Sequence, residues 1–422
     1  MQMDAVTYPS ESLKELLAKF VLVKVDHDAE PALVKQHGVQ ALPDVRLLAA
    51  DGKELDKLVG FTSAGRLAAR MQAALDRIAG HEPEADSAAK DGPRAASATS
   101  PAKAVEASPA VVGLAVLHGV SFLRSEWRKG FTAPPRFAPD ELVLFAWASA
   151  GLKRSDADTA VLLARLLEAP PSGTYRAALR ACALQRLDAA DLRPKLEECA
   201  RFLEATQLAN GQWSYGPAAG DGGATGGAMP SLGDHSNSAY ALLGLAACRK
   251  AGVAVARDVV AKATKWWLGA QNEDGGFGYR TDRESSSYAS MTASGLHCLL
   301  LAHSGAVSTE SSRDAATDLT PRIARAGGWL RDHFSVRENS GSAYQEGRRL
   351  YHLYAIERVG DAPPAARAAA LHLLPEDWYR QGAEHLLAAQ RDDGSWDDGA
   401  ETPLQDTCFA LLFLTRTSEA LK

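Results

Sequence analysis

The sequence has no cysteine in its first 181 residues. Enzymes that exchange thiols and disulfides attack with a thiolate, usually from a Cys-x-x-Cys pair, so the N-terminal part as given cannot perform that chemistry. Most of the five cysteines fall in apolar helical patterns and are not spaced like a disulfide framework, so we expect buried, reduced thiols. They are Cys182, Cys199, Cys248, Cys298 and Cys408.

Three other features are missing. No stretch reaches the roughly 18 apolar residues of a membrane span, so none is predicted. The formal net charge is -6 and basic residues are scattered among acids, which gives no reason to expect nucleic acid as a partner. The first ten residues, MQMDAVTYPS, have neither a basic patch nor an apolar core and do not read as a signal peptide. If Met1 is the true start, the chain would be cytoplasmic.

The chain is long enough for two or three domains, and one segment separates them. Residues 81–110 are almost all Ala, Ser, Pro, Glu, Lys and Asp. Such a composition cannot bury enough apolar surface to offset the entropy of ordering, so we expect a disordered linker. The predicted domains are residues 1–80 and 111–422.

The first domain is predicted to be a small α/β unit. Short β-branched runs indicate strands, and the Asp-Gly dipeptide indicates a hairpin turn. The predicted order is a buried strand from Phe20 to Asp26, a helix from Pro31 to Gln36, a strand from Val45 to Ala49, a turn at Asp51 and Gly52, a strand from Lys57 to Gly60, and a helix from Ser63.

Three pieces of this domain, VKVDHD, GVQALPD and LLAADGKELDKLVGF, resemble the second half of a thioredoxin fold. The resemblance implies a cis peptide bond at Pro43, facing the redox site. Because the cysteine pair is absent, two hypotheses stay open. The unit is either a partial thioredoxin-like domain kept for binding, or a thiol-disulfide oxidoreductase whose Cys-x-x-Cys is encoded upstream of Met1.

The second domain repeats itself. QLANGQW at 207–213, QNEDGGF at 271–277 and QRDDGSW at 390–396 share the pattern Gln-x-x-x-Gly-x-Trp/Phe, and a weaker copy is expected around Trp329. Repeats at such periods indicate stacked structural units. Twelve helical patterns pair around these corners: 115–126 with 139–150, 157–168 with 174–187, 193–207 with 235–251, 256–271 with 288–304, 319–334 with 345–360, and 377–390 with 403–417.

The corner pattern, with DHSNSAYALLGL, YASMTASGL and QDTCFALLFLTR, resembles the squalene cyclase and protein prenyltransferase repeat, in a bacterial branch of that superfamily. The resemblance covers about residues 111–422 and implies a mainly α (α/α)6 toroid of six helical hairpins around a central cavity. We expect the corner glutamine to bind backbone groups and the aromatic residue to pack against the next pair.

In that architecture the inner helices begin at the mouth of the cavity. Polar and aromatic residues at their starts are therefore the candidate ligand-binding residues. Acids at helix starts are ordinarily N-caps, which is the expected role of Asp140 and Asp406. The candidates are Asp234, His235, Asn237, Tyr288, Tyr344, Glu346, Tyr351, His352, Asp406 and Cys408.

Three enzymatic alternatives were compared with these residues. A terpene cyclase of this superfamily carries Asp-x-Asp-Asp, and the nearest match, DADT at 156–159, lacks the last acid. A prenyltransferase holds zinc with Asp, Cys and His, and Asp406 and Cys408 have the spacing of the first two but no histidine follows them. A polysaccharide-acting enzyme would use a set such as Arg348, Tyr351 and His352.

The leading hypothesis is a binding or scaffold protein. The toroid cavity would take a small apolar ligand or a peptide, and it would be tethered to a redox-inactive thioredoxin-like unit. The sequence predicts no metal site and no cofactor, and it leaves the catalytic residues and the oligomeric state open.

Overall fold

The computed structural model describes residues 11–23, 25, 30, 44–49, 52–59, 64–78, 106–130, 139–188, 190–216, 233–280, 286–307, 319–342, 348–362, 366, 373–399 and 402–415. The chain divides into two compact units. Residues 1–101 belong to the first unit, and residues 102–398 and 402–422 form the second. The protein is mainly helical.

The first unit contains a two-stranded hairpin and two helices that pack on each other. Its elements are α1 (Glu11–Leu17), β1 (Asp44–Leu48), β2 (Glu54–Val59) and α2 (Ala64–Ile78). The two strands pair antiparallel, which confirms the predicted hairpin, and Gly52 in the turn has a φ of 84°. Leu13, Leu47, Leu58, Leu67 and Met71 are buried and form the core of this unit.

The predicted buried strand from Phe20 to Asp26 is wrong for its described residues. Residues 20–23 and 25 form no strand, and Val21 and Val23 are 93% and 78% exposed. A strand must satisfy its backbone groups by pairing with a neighbour. In the described part of the unit, β1 and β2 pair only with each other. The predicted helix from Pro31 to Gln36 and the loop with Pro43 lie outside the described residues.

The twelve predicted helices of the second unit are confirmed in order, with shifted ends. They are α3 (Pro109–Lys129), α4 (Pro139–Ser149), α5 (Ala157–Leu167), α6 (Thr174–Leu187), α7 (Arg193–Ala205), α8 (His235–Lys250), α9 (Arg257–Ala270), α10 (Ala289–His303), α11 (Thr320–Asp332), α12 (Arg349–Gly360), α13 (Trp378–Ala389) and α14 (Pro403–Leu414). Helix α3 begins earlier than expected because the Ser108 hydroxyl accepts a hydrogen bond from the Val111 amide. None of the described helices is long and apolar enough to cross a membrane.

The even-numbered helices of the second unit, to which this name refers from here on, contact one another in a closed order. Helix α4 packs on α6, α6 on α8, α8 on α10, α10 on α12, α12 on α14, and α14 on α4 again. These helices are buried on nearly all sides, whereas the odd-numbered helices bury one face and keep the other in solvent. Each odd-numbered helix contacts one or more of the even-numbered ones. The apolar pattern explains the order, because a helix that is hydrophobic all round must lie inside.

The three glutamine corners each join one helical pair to the following one. In all three, the side-chain Nε2 donates to the carbonyl of the glycine in its own turn, at 2.9–3.2 Å, and to a carbonyl of an odd-numbered helix, at 2.8–2.9 Å. The partners are Gly211 and Val259 for Gln207, Gly275 and Arg322 for Gln271, and Gly394 and Ala115 for Gln390.

Because Ala115 lies in α3, the Gln390 corner connects the last helical pair to the first. The expected backbone role of the glutamine is thereby confirmed.

Glycine is required at these corners for two reasons. Gly275 has a φ of 95°, which side chains other than glycine rarely adopt, and a Cβ there would lie 2.9 Å from the Arg325 carbonyl oxygen. The aromatic residue is anchored as well. The indole nitrogens of Trp213 and Trp396 donate to the carbonyls of Leu203 and Leu386, at 2.6 and 2.8 Å.

The segment around Trp329 is not a fourth corner of this kind. Its indole nitrogen donates to Asp274 Oδ2 at 3.0 Å, so the side chain supports the Gln271 corner. The ring also stacks on His333, with centroids 4.0 Å apart. The expected weaker copy is therefore corrected: Trp329 completes the preceding corner.

We expect Gln390→Glu to destabilise the second unit. The substitution keeps the shape of the side chain but turns a donor amide into an acceptor that faces two carbonyls, at a cost on the order of 3 kcal/mol. Urea unfolding followed by circular dichroism measures the change. Gln185→Glu is the control, since the half-buried Gln185 makes no side-chain hydrogen bond in the described structure. Equal stability of the two variants would contradict the corner's role.

Candidate functional site

Asp234 and Asn237 form the N-terminal cap of α8. Asp234 Oδ1 accepts from the Asn237 backbone amide and Oδ2 from the Asn237 side-chain amide, both at 2.8 Å, and the Tyr279 hydroxyl also donates to this carboxyl group. Burial raises the pKa of Asp234, while the hydrogen bonds from Asn237 and Tyr279 oppose that rise. Asp234 is thus a buried cap whose acid form is favoured by its surroundings.

His235 is held in the core beside the cap. Its backbone amide donates to the Tyr279 carbonyl at 3.1 Å, and its Nδ1 hydrogen-bonds to the Gly278 carbonyl. The ring stacks on Trp267 with centroids 5.1 Å apart. Burial lowers the pKa of His235 to about 4, so the ring is neutral near pH 7.

Ser236 connects two helices that are not neighbours in the closed order. The Tyr175 hydroxyl on α6 donates to Ser236 Oγ at 2.7 Å, and the Tyr351 hydroxyl on α12 lies 3.0 Å from the same oxygen. The hydroxyls of Tyr215 and Tyr279 are 3.3 Å apart in the same region. We name these five residues the tyrosine cluster. It lies where the even-numbered helices begin, and Tyr215, which is 48% exposed, brings it to solvent.

Further along the even-numbered helices the facing side chains are aromatic. Tyr240 stacks on Tyr351, with centroids 6.4 Å apart, and Tyr354 stacks on Phe409, with centroids 5.7 Å apart. Tyr351 also meets Phe409 edge to face, at 5.6 Å. These four residues are the aromatic interior. They come from α8, α12 and α14, so the aromatic interior extends between helices that are far apart in sequence.

A single guanidinium group lies against the aromatic interior. The Cζ of Arg358 is 5.3 Å from the centre of the Tyr240 ring and 5.0 Å from that of Tyr354. Its Nη2 donates to Ser294 Oγ at 3.0 Å, and the residue is 3% exposed. The sequence analysis did not single out Arg358. The available signal was a basic residue within RLYHLYAIERVG, at a position where the helix is otherwise buried.

A second buried arginine, Arg180 on α6, has an acidic partner. Its Nη2 lies 3.1 Å from Glu141 Oε1 on α4, and Arg176 approaches the same oxygen at 3.4 Å. Glu141 is fully buried. Helices α4 and α6 are therefore joined by an ion pair inside the protein. A carboxylate balances Arg180, whereas the bonded partner of Arg358 is a hydroxyl group.

The structure separates the other predicted residues. His352 Nε2 bonds to the Ser335 carbonyl at 2.9 Å, so its ring faces a different neighbour from Tyr351. Burial lowers the pKa of His352 to about 4. Tyr288 is half-buried and precedes α10, where its amide donates to the Phe277 carbonyl at 3.1 Å. Tyr344 and Glu346 lie outside the described residues.

Two acids expected to cap helices do other things. Thr402 caps α14 in a reciprocal arrangement with Gln405, and Asp406 Oδ2 instead accepts from the Asp398 amide at 2.9 Å. Asp140 forms an ion pair with Arg165. The sequence placed these carboxylates near the helix starts, but the pattern does not resolve which residue occupies the cap position: Thr402, four residues before Asp406, caps α14.

The residues considered for the enzymatic alternatives are not arranged as those reactions require. Asp156 caps α5 and pairs with Arg124, while Asp158 pairs with Arg128 at 2.7 Å, so neither is a dry, unpaired acid. Cys408 is buried, and burial raises the pKa of its thiol well above the usual value. Within the described part of the chain, no group of three or more His, Cys, Asp or Glu side chains could hold a metal ion. Tyr351 and His352 do not converge.

Two surface grooves lie away from the residues discussed so far. One, of about 450 Å³, runs along α3 beside Arg124 and Arg128. The other, of about 520 Å³, lies between α9 and the Gln207 corner and is lined by Lys262, Lys265 and Trp266. Neither groove includes a residue of the tyrosine cluster or of the aromatic interior.

No protein family model and no curated protein matches the sequence. Among solved structures, a variant of the type II terpene cyclase MstE from Scytonema, in complex with geranylgeranyl dihydroxybenzoate, is 13% identical with a TM-score of 0.43, covering 73% of this chain and 97% of its own. Apo MstE is 11% identical with a TM-score of 0.44, covering 74% and 99%.

The ent-copalyl diphosphate synthase from Streptomyces platensis is 15% identical with a TM-score of 0.29, covering 66% and 49%. These similarities are too low to decide the activity.

We expect Arg180→Gln to cost roughly 3–5 kcal/mol of unfolding free energy, because the buried Glu141 then keeps only the longer contact with the half-buried Arg176, at 3.4 Å. The double substitution Glu141→Gln with Arg180→Gln should recover most of the loss. Denaturant unfolding of the three proteins measures both effects. A double variant as unstable as the single one would show that packing, not charge balance, sets the cost.

Stability should fall in mild acid. Burial lowers the pKa of His235 and His352 to about 4 and that of His297 to about 3, from about 6.5 when unfolded. The unfolded state therefore takes up these protons first as the pH drops below about 6.5. Each histidine should remove up to about 1.4 kcal/mol per pH unit between pH 6 and 4. Urea unfolding at several pH values gives the slope of the unfolding free energy against pH. In His352→Gln this slope should correspond to about one proton fewer taken up on unfolding than in the parent protein.

Proposed function

We propose that the second unit is a terpene cyclase-like (α/α)6 toroid that binds an elongated apolar molecule of the isoprenoid class. The toroid is supported by the closed contact order of the six even-numbered helices and by the Gln390 bond to α3, which links the last pair to the first. In this arrangement the even-numbered helices form the inner layer and the odd-numbered helices the outer one.

The observation that carries the ligand class is the aromatic interior. Four aromatic side chains from three inner helices face one another inside the unit, and the tyrosine cluster continues that surface towards solvent at Tyr215. Aromatic side chains with a few nearby hydroxyl groups suit a long apolar ligand. Such a ligand buries a large apolar area against the rings and brings no charged group that would need a partner there. The scaffold part of the initial hypothesis has no comparable support.

A second candidate function is cyclisation started by protonation, for which Asp234 is the acid. It is favoured by the burial that raises the Asp234 pKa and by the Tyr279 hydroxyl that bonds to the carboxyl group. The faces of Tyr240 and Tyr354 already accommodate a cation, the Arg358 guanidinium, so the interior tolerates positive charge. The two hydrogen bonds from Asn237 to Asp234 are those of an ordinary helix cap, which needs no catalytic role. Ligand binding is therefore the first candidate function and cyclisation the second.

For the first unit we propose a thioredoxin-like binding domain, joined to the toroid by a linker that ends before α3 begins at Pro109. The β1–β2 hairpin followed by α2 supports the second half of such a fold. With no cysteine before Cys182, a redox role would need a Cys-x-x-Cys outside this sequence.

Binding should be measured on the full chain with geranylgeranyl dihydroxybenzoate, geranylgeranyl diphosphate and squalene, and products should be analysed by mass spectrometry. We expect micromolar or tighter binding of at least one of them. Absence of binding by all three overturns the proposed function.

Asp234→Asn separates the two candidates. Asparagine is as good an N-cap as aspartate, so α8 should stay folded while the acid is lost. Turnover by the parent protein that disappears in this variant, with binding retained, identifies Asp234 as the acid. Binding without products from either protein leaves the second unit as a binding protein, and unchanged turnover in Asp234→Asn excludes Asp234.

A further inference from the structure

Arg358 is a buried cation without a balancing charge. It is 3% exposed, and its Nε and Nη1 atoms have no hydrogen-bond partner within the described part of the chain. Only Nη2 is bonded, to a neutral hydroxyl on Ser294. No carboxylate among the described residues forms an ion pair with it. A guanidinium carries five N–H donors and stays charged in proteins, so several of these donors face the interior unused.

A buried arginine without an ion-pair partner is unusual because its burial costs free energy. Removing a charged group from water costs several kcal/mol unless a partner repays the loss. The rings of Tyr240 and Tyr354 repay part of it through cation–π contact, but they do not satisfy the in-plane N–H groups. Arg180 shows how the same protein balances a buried arginine when the role is structural, with Glu141 at 3.1 Å.

Glu357, the residue before Arg358 on α12, is buried, but among the described contacts it forms no ion pair with Arg358. His297, within electrostatic range on α10, is also buried, and its Nδ1 has no hydrogen-bond partner. Cys298 on α10 and Cys182 on α6 lie in the same range, and burial raises the pKa of both thiols to about 12, so they are neutral. Arg358 and His297 therefore leave unpaired polar atoms in one positively charged region of the aromatic interior.

We propose that Arg358, with Ser294 and His297, binds the anionic group of an amphipathic ligand, a carboxylate or a phosphate. The charged group would meet the guanidinium, and the apolar chain would run along the aromatic interior towards the tyrosine cluster. Tyr351 and Arg358 are two turns apart on α12, so the first part of this path, from the guanidinium to the tyrosine cluster, is about 10 Å along the helix axis. The inference rests on the proposed function and narrows its ligand class to isoprenoid acids or phosphates.

The test compares ligands that share one chain and differ in the charged group. Geranylgeranoic acid, geranylgeranyl monophosphate and the neutral geranylgeraniol are titrated into the full-length protein by calorimetry, with inorganic phosphate as the chain-free anion. We expect at least one anionic ligand to bind about 10- to 100-fold more tightly than the alcohol, the range that charge-assisted hydrogen bonds give. Which one does so distinguishes a carboxylate from a phosphate site.

Arg358→Gln should abolish the preference while changing the affinity for the alcohol less than about threefold, and Arg358→Lys should keep part of it. The double variant Glu141→Gln with Arg180→Gln, which removes the balanced arginine, should leave the preference intact. Without ligand, Arg358→Gln should melt at the same temperature as the parent or higher, since it removes an unbalanced charge.

A parent protein that binds acid, phosphate and alcohol equally overturns the inference but leaves the proposed function standing. A preference that survives in Arg358→Gln overturns the inference as well. Failure of all the isoprenoids to bind removes the proposed function and the inference with it. If Arg358→Gln does not fold, the test uses Arg358→Lys. A reduced preference of this variant for the anionic ligands over the alcohol, at an unchanged melting temperature, supports the inference. An unchanged preference contradicts it.

Discussion

The glutamine amide at each corner is the contact on which the second unit depends. One NH₂ group bonds at the same time to its own turn and to a helix of the next pair, so the turn geometry and the stacking of pairs are fixed together. Glycine accompanies the glutamine because the turn lies directly against the neighbouring helix: a Cβ at Gly211, Gly275 or Gly394 would come within 3 Å of a carbonyl oxygen of that helix. Because Gln390 reaches α3, the same contact that stacks neighbouring pairs also joins the two ends of the unit.

The closed order of the even-numbered helices in the second unit affects every polar side chain on them. These helices are buried all round, so a polar group on them must find its partner inside the protein. Asp234 is satisfied by Asn237 and Tyr279, and Glu141 by Arg180 and Arg176. Against this background Arg358, which has no acid partner among the described residues, differs from Arg180, which Glu141 balances.

Much of the architecture followed from the sequence. Three corners of identical spacing predicted the repeat, and the helical patterns around them predicted the twelve helices. The hairpin of the first unit followed from its Asp-Gly turn. The strand at Phe20 was wrong because an apolar run indicates burial but does not supply a pairing partner, and Trp329 was misassigned because an indole at the expected period was bound by the preceding corner.

The site could be predicted only in part. Asp234, His235 and Asn237 were chosen as candidates for their polarity before an apolar helix, and Tyr351 for its place at a helix start. Arg358 and Tyr240 were missed, since a single polar residue in a helical pattern does not reveal whether it faces a neighbour, solvent or the interior. Local spacing determined the helices, the corners and the caps, because these depend on residues within one or two turns. Only the tertiary structure decided which side chains meet across the interior, because Tyr175, Ser236 and Tyr351 are brought together by the order in which the helices close.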